Sequence, residues 1–154
     1  MKEMEVVADI SANMGDRLKA ALELVFKGCG LSFQYTLTVY VIEGDRCVNA
    51  TLRTLLEPKF VAQFKLSQAP MCEAICWSHN MYVENEFRKK GIGTELNNLK
   101  VKAACLVGFT RLMATVDEAN KEEISLLLNN DWKVLGSFPG IEHHGHFDLW
   151  ERIL

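Results

Sequence analysis

The 154-residue sequence has no run of about 18 apolar residues, so no stretch of it reads as a membrane-spanning helix. Its first ten residues, "MKEMEVVADI", lack the long apolar core of a secretion signal. The five cysteines, at 29, 47, 72, 76 and 105, include no C-x-x-C pair, and an odd number cannot all pair with one another. That usage predicts reduced, buried thiols, a cytoplasmic location and no membrane association. An excess of one charge is missing too. Seventeen Lys and Arg against 20 Asp and Glu leave a net −3, which offers nucleic acid no global attraction. No internal repeat, low-complexity tract or linker is visible. With 49% hydrophobic and 24% charged residues, the expectation is a single domain over residues 1–154.

The residues present predict mixed α and β structure. Met14, Leu18, Ala21, Leu22 and Val25 recur at helical spacing, with Asn13 as N-cap, Asp16 in the first turn, and Gly28 and Gly30 as the stop. "SFQYTLTVYVI" (32–42) reads as a strand ending in a turn at Gly44-Asp45, with "RCVNATL" (46–52) as its partner. "KFVAQFKL" (59–66) alternates Phe60, Ala62, Phe64 and Leu66 against Lys59, Gln63 and Lys65, as a half-exposed strand should. After a turn at 67–70, "EAICWSHNMYV" (73–83) is apolar on both faces, which predicts a central strand. Ile92, Leu96, Leu99, Ala103 and Leu106 mark one helix face that Gly108 ends. A buried strand at 110–116 follows. A short helix over about 120–130 carries Ile124, Leu127 and Leu128, and strands near 133–138 and 146–153 flank the loop "PGIEHHG". A strand, a glycine-rich turn, a helix and a strand make an α/β unit that can bind a ligand at the turn.

That turn is "EFRKKGIGTEL" (86–96), a run that stability alone would disfavour, since like charges repel and glycine weakens helices. A helix N-terminus offers unpaired N–H groups and partial positive charge to an anion. Gly91 and Gly93 allow close approach to the backbone, and Arg88, Lys89 and Lys90 add charge. A pyrophosphate meets these conditions; a solvated basic turn is the alternative. The P-loop pattern is absent, and the dinucleotide pattern G-x-G-x-x-G fails at Leu96.

Arg88-Lys89-Lys90-Gly91-Ile92-Gly93 resembles the acetyl-CoA signature of the GNAT acyltransferase superfamily: Arg or Gln, two variable residues, Gly, one variable residue, then Gly or Ala. "NKEEISLLLNNDW" (120–132) and "FDLWERIL" (147–154) are similar to later family segments, so the likeness runs from residue 73 to 154, while residues 1–70 carry no family motif. The resemblance implies a mixed, mostly antiparallel central sheet flanked by helices, with a splayed strand pair holding the cosubstrate. The first 70 residues would shape the acceptor side, and residues 73–154 the acetyl-CoA side. It also implies backbone pairing of the pantetheine arm with Met81, Tyr82 and Val83. The amides of Arg88, Lys89, Lys90, Gly91, Ile92, Gly93 and Thr94 would hold the pyrophosphate. Asn120 would contact the pantetheine near its reacting end; alternatively it caps its own helix, with Glu123 completing a capping box. The family's frequent tyrosine, credited with protonating the departing thiolate, is Leu127 here, and its Gly-Phe pair is Asp131-Trp132.

An amine acceptor of pKa about 10.4 is neutral in only about one molecule in a few thousand at pH 7, so a base is expected. Period-2 alternation places Ile75, Trp77, His79, Met81 and Val83 on one strand face, with His79 its one titratable group. Some relatives that acetylate arylalkylamines resemble this chain in carrying a histidine there. His79 is the candidate base, with a satisfied core histidine as the alternative. His143, His144 and His146 are read as solvent-facing, as loop residues near the acceptor entrance, or as a metal group, and no metal is expected. The cysteines and Trp77, Trp132 and Trp150 read as packing residues. The expected activity is N-acetyl transfer from acetyl-CoA to the primary amine of a small molecule or peptide. A non-catalytic acyl-CoA-binding module and a metal-dependent hydrolase are the alternatives. A homodimer is one admissible assembly.

Overall fold

The computed structural model describes residues 13–42, 46–140 and 145–154. Helix α1 (Met14–Lys27) opens on Asn13, whose Oδ1 accepts from the Asp16 amide at 2.7 Å, and buries Leu18, Ala21, Leu22 and Phe26. A single 3₁₀ turn (Gly30–Phe33) then reorients the chain, so β1 runs over Tyr35–Ile42 and starts three residues later than Ser32. It pairs in unbroken antiparallel register with β2 (Cys47–Thr54); the expected turn at Gly44-Asp45 lies outside the described residues. Strand β3 (Phe60–Gln68) continues two residues past the expected end at Leu66. A register shift beside Leu52 and Arg53 leaves Val61 as an extra residue, which is why Val61 and Ala62 are both buried in a strand that otherwise alternates.

Strand β4 (Ile75–Val83) is central, fourth in the seven-stranded order β1-β2-β3-β4-β5-β7-β6 formed by the described residues. Every pairing is antiparallel except that of β4 with β5 (Arg111–Asp117). Helix α2 (Ile92–Val107) follows β4, and α3 (Lys121–Leu128) follows β5. Strands β6 (Lys133–Pro139) and β7 (His146–Ile153) close the sheet. Helix α1 packs along α2 and across β1, β2 and β3, where Leu18, Leu22, Val48, Leu52 and Phe64 join one apolar core.

Several expectations are corrected. On α2 the buried stripe runs through Leu96, Asn97, Leu99, Lys100, Ala103 and Ala104, and Leu106 is exposed. Leu128 on α3 is exposed as well, while Leu127 is buried. Strand β5 is half-buried, not fully buried: Leu112, Ala114 and Val116 alternate with exposed Arg111 and Thr115. Of the five free cysteines only Cys76 is buried, and Cys105 is exposed. Asp131 has φ 62°, so the backbone keeps the left-handed conformation that glycine would adopt freely at that position.

Candidate active site

Strands β4 and β5 share three residue pairs, Ile75 with Arg111, Cys76 with Leu112 and Trp77 with Met113, and then part. Beyond Trp77 the edge of β4 toward β5 has no ladder partner. A cavity of about 260 Å³ opens beside the unpaired end of β4. Met81, Tyr82 and Val83 form one wall, the turn and first residues of α2 another, and the start of α3 the third. Of the eleven residues expected to hold a cosubstrate, ten line this cavity: Met81, Tyr82, Val83, Arg88, Lys89, Gly91, Ile92, Gly93, Thr94 and Asn120. Lys90 does not; its ammonium lies 5.4 Å from the centre of the Phe87 ring. Phe87, Glu122, Glu123 and Leu126 complete the lining.

The start of α2 is built to leave its amides open. Its N-cap is Gly91, at φ 80°, and no side chain caps it. Lys89 is also left-handed, at φ 59°. Left-handed residues in a tight turn are how backbone N–H groups form anion-binding concavities. The two glycines serve different needs. A Cβ on Gly91 would meet nothing within 4 Å, so its requirement is conformational. A Cβ on Gly93 would sit 3.2 Å from Leu126 Cδ1 and 3.7 Å from Met81 Cε, so Gly93 lets α2, α3 and β4 close together. Arg88 is a tether as well as a charge: its Nε donates to the Val83 carbonyl at 2.8 Å, its guanidinium lies 5.5 Å from the Tyr82 ring centre, and Nη1 stands 3.8 Å from Glu122.

At α3 the Asn120 Oδ1 accepts from the Glu123 amide at 3.2 Å, so the side chain does cap its helix. The reciprocal half of the expected capping box does not form, because the Asn120 amide donates to the Asp117 carbonyl at 2.9 Å. That leaves the Asn120 NH₂ group and the Glu123 carboxyl for other partners. Leu127 is fully packed, and the Trp132 indole donates to Asn97 Oδ1 at 3.2 Å beneath it.

Regular alternation fails at the middle of β4. Lys65 pairs with His79 and Gln63 with Tyr82, so two residues of β4, Asn80 and Met81, stand opposite the single Phe64. The bulge turns Met81 onto the face of Cys76 and Ser78, where its sulfur lies 3.2 Å from Lys100 Nζ. His79 and Met81 therefore point to opposite faces, contrary to the period-2 expectation. His79 is half-buried beside Trp77, its Nε2 is 2.7 Å from Ser67 Oγ, and it is not part of the cavity wall. Burial, and then the Lys65 ammonium across the ladder, lower its pKa below the usual 6.5. The ring is consequently neutral at pH 7, with a lone pair available.

The sequence reading missed Lys100. It is 2% exposed, donates to Ser78 Oγ at 2.8 Å, and lies 5.8 Å from the Phe64 ring centre. Burial brings its pKa down to about 8, opposed by Glu123 and Cys76. Its spacing from Leu96 and Ala103 was the available signal. His143 and His144 lie outside the described residues, and His146 is exposed at the start of β7. No group of three potential metal ligands occurs among the described residues. None of their helices is long and apolar enough to cross a membrane.

Comparison with known proteins bears on the fold and the family. None of the curated proteins matches the chain by sequence. Among solved structures, a GNAT family acetyltransferase from Elizabethkingia anophelis with acetyl-CoA bound superposes with TM-score 0.63 at 12% identity, covering 79% of this chain and 99% of its own. The spermidine/spermine N-acetyltransferase from Vibrio cholerae, in complex with manganese ions, gives TM-score 0.65 at 9% identity, with 80% and 95% covered. An IAA acetyltransferase from Bacillus cereus gives 0.62 at 15% identity, with 71% and 79% covered. At these identities the likeness is one of fold. The model of the acetyltransferase (GNAT) family matches residues 32–129, well over half of the sequence, and the chain belongs to that family.

Proposed function

We propose that the protein, acting as one domain, is an N-acetyltransferase that moves an acetyl group from acetyl-CoA directly to the primary amine of a small molecule or peptide. The observation that carries this reading is the cavity beside the end of β4 that β5 leaves unpaired, bordered by the uncapped start of α2. A pyrophosphate at Gly91–Thr94 would accept from the open amides. A pantetheine arm running along Met81–Val83 would complete the ladder that β5 leaves unfilled, and the Asn120 NH₂ group would meet its amides.

Acyl transfer then needs a neutral amine. His79 serves as the base, directly or through one water. Ser67 Oγ holds the ring through Nε2, and in the tautomer whose Nε2–H donates to Ser67 the free lone pair is on Nδ1. The lowered pKa keeps the imidazole unprotonated at pH 7, the state a base requires. A non-catalytic acyl-CoA-binding module is the second reading, favoured by the packed Leu127, which has no proton to donate.

Thermal-shift measurement against acetyl-CoA, CoA and zinc tests the site. Acetyl-CoA at about 100 times its Kd should stabilise the fold by about 2.7 kcal/mol. Stabilisation by zinc alone would overturn the assignment. Release of CoA on adding polyamines, aminoglycosides, amino acids or peptide N-termini separates an enzyme from a binding module.

A further inference from the structure

The inner part of the cavity wall carries a carboxyl that no cap or close ion pair uses among the described residues. Glu122 leans toward Arg88 on the rim, whereas Glu123 lines the cavity and lends only its amide to the Asn120 cap. Its charge interacts with the Lys100 ammonium, which contacts Ser78 Oγ, Met81 Sδ and the Phe64 ring. Ser78 directly follows Trp77, the last β4 residue paired with β5, so Lys100 Nζ is held near the end of the gap where the two strands are still joined. If the anion-binding turn holds the pyrophosphate, the thioester lies toward that joined end. Leu127, one turn further along α3, is packed in the core and has no ionisable group.

We propose that Glu123 returns the proton to sulfur when the thioester is cleaved in this cavity, with Lys100 as the positioning residue; this rests on the acetyl-transfer reading above. As the amine nitrogen bonds to the acyl carbon and the carbon–sulfur bond breaks, the electron pair leaves on sulfur. The Glu123 O–H gives its proton to that thiolate, yielding the CoA thiol and a carboxylate beside the Lys100 ammonium. The ammonium gives up one proton through His79 to solvent before attack, the acylated nitrogen loses its second proton by the same route, and solvent reprotonates Glu123 before the next cycle. The transfer is downhill, since a thiol of pKa about 8.5 is a weaker acid than a carboxyl group.

Two influences act on the Glu123 carboxyl in opposite directions. Burial raises the Glu123 pKa above the usual carboxylate value, and Lys100 opposes the rise. The other titratable groups on the cavity wall are Tyr82, Lys89 and the Arg88–Glu122 pair, while Cys76, which acts on Lys100, has a thiol that burial pushes up to about 12 and so keeps neutral.

The experiment measures acetyl-CoA binding by calorimetry, and kcat and KM against pH, for the wild type, Glu123→Gln, Glu123→Asp and Lys100→Met. Glu123→Gln should bind acetyl-CoA within about threefold of wild type and lose at least about tenfold in kcat. The fall of wild-type kcat at high pH, where Glu123 has ionised, should vanish in that variant. Glu123→Asp should restore turnover to within about tenfold of wild type. Lys100→Met removes the charge that favours the carboxylate, so the falling limb should move upward by at least about half a pH unit. That measurement stands even where Glu123→Gln fails to fold. Wild-type kcat and an unmoved pH limb in the variants would overturn the Glu123 assignment while leaving acetyl transfer intact. A wild type that binds no acetyl-CoA, or that releases no CoA with any amine, overturns both.

Discussion

The two helices that border the cavity begin in opposite ways. Helix α3 starts as α1 does, with an asparagine whose side-chain oxygen takes one of the free amides and with acidic residues in the first turn. Helix α2 starts on a left-handed glycine with no side-chain cap and a basic turn before it. A capping side chain stabilises a helix by about 1 kcal/mol, so omitting one leaves amides for another partner. The same cavity thus has one wall whose backbone is already satisfied and one whose backbone is waiting for an anion. Burial alone does not distinguish them; the identity of a single residue at each start does.

The largest effect should come from spoiling the open start. Arg88→Glu with Gly91→Val places a β-branched residue at φ 80° and reverses the charge that tethers the turn to Val83. Acetyl-CoA affinity should fall at least about 100-fold by calorimetry, with the circular dichroism of the folded protein retained. Unchanged affinity in a folded double variant would remove the special status of α2.

His79→Gln sharpens the contrast from the other side, because both helix starts remain intact. Acetyl-CoA should bind normally while turnover near pH 7 drops on the order of 100-fold. The wild-type rate should rise with pH through a pKa below 6.5, since deprotonation of the imidazole creates the base. The deficit should shrink at high pH, where the amine deprotonates unaided. It should also be smaller for an α-amine of pKa near 8. A fully active variant at pH 7 makes His79 a packing residue.

Lys100→Met probes the charge that faces the first turn of α3. Holding an ammonium that ordinarily titrates at 10.5 down to about 8 costs roughly 3 kcal/mol, against about 1 kcal/mol recovered from the Ser78 hydrogen bond. The variant should therefore be about 2 kcal/mol more stable in urea at pH 7. The folded pKa is the lower one, so the unfolded chain binds more protons between pH 8 and 10.5, and the wild type should gain on the variant across that window. A variant less stable at pH 7 would show that Lys100 is net stabilising.

The smallest effects separate the two capped starts. Asn13→Ala and Asn120→Ala should each cost about 1 kcal/mol of stability, but only Asn120→Ala should also weaken acetyl-CoA binding. Equal binding by both would confine Asn120 to its cap.

Much of this was legible from residue order. Asn13, Gly108 and Asn120 stand where cap chemistry puts them, and the alternation of β3 identifies its buried Ala62, Phe64 and Leu66. The failures share one cause: periodicity assumes regular partners. Nothing local to "SHNMY" announces that β4 carries an extra residue opposite Phe64, yet that bulge decides which face Met81 joins. The start of β1 was misplaced because Ser32 and Phe33, sound strand residues in isolation, are taken by a 3₁₀ turn. Lys100 was passed over because lysine is ordinarily a surface residue, although its place among Leu96, Leu99 and Ala103 put it on the buried stripe. A capping box with Glu123 is one of the two sequence readings of Asn120, and only tertiary structure shows the Asn120 amide turned to Asp117.

Three residue pairs are all that join β4 to β5, and they lie at one end of both strands. In mechanical terms the sheet is a four-stranded and a three-stranded leaf sewn by a short seam. The amides on the open side of Met81–Val83 should exchange with solvent faster than those facing β3 while the cavity is empty. An extended ligand laid in the gap would act as the missing stitches, and joining the leaves would make them unfold together.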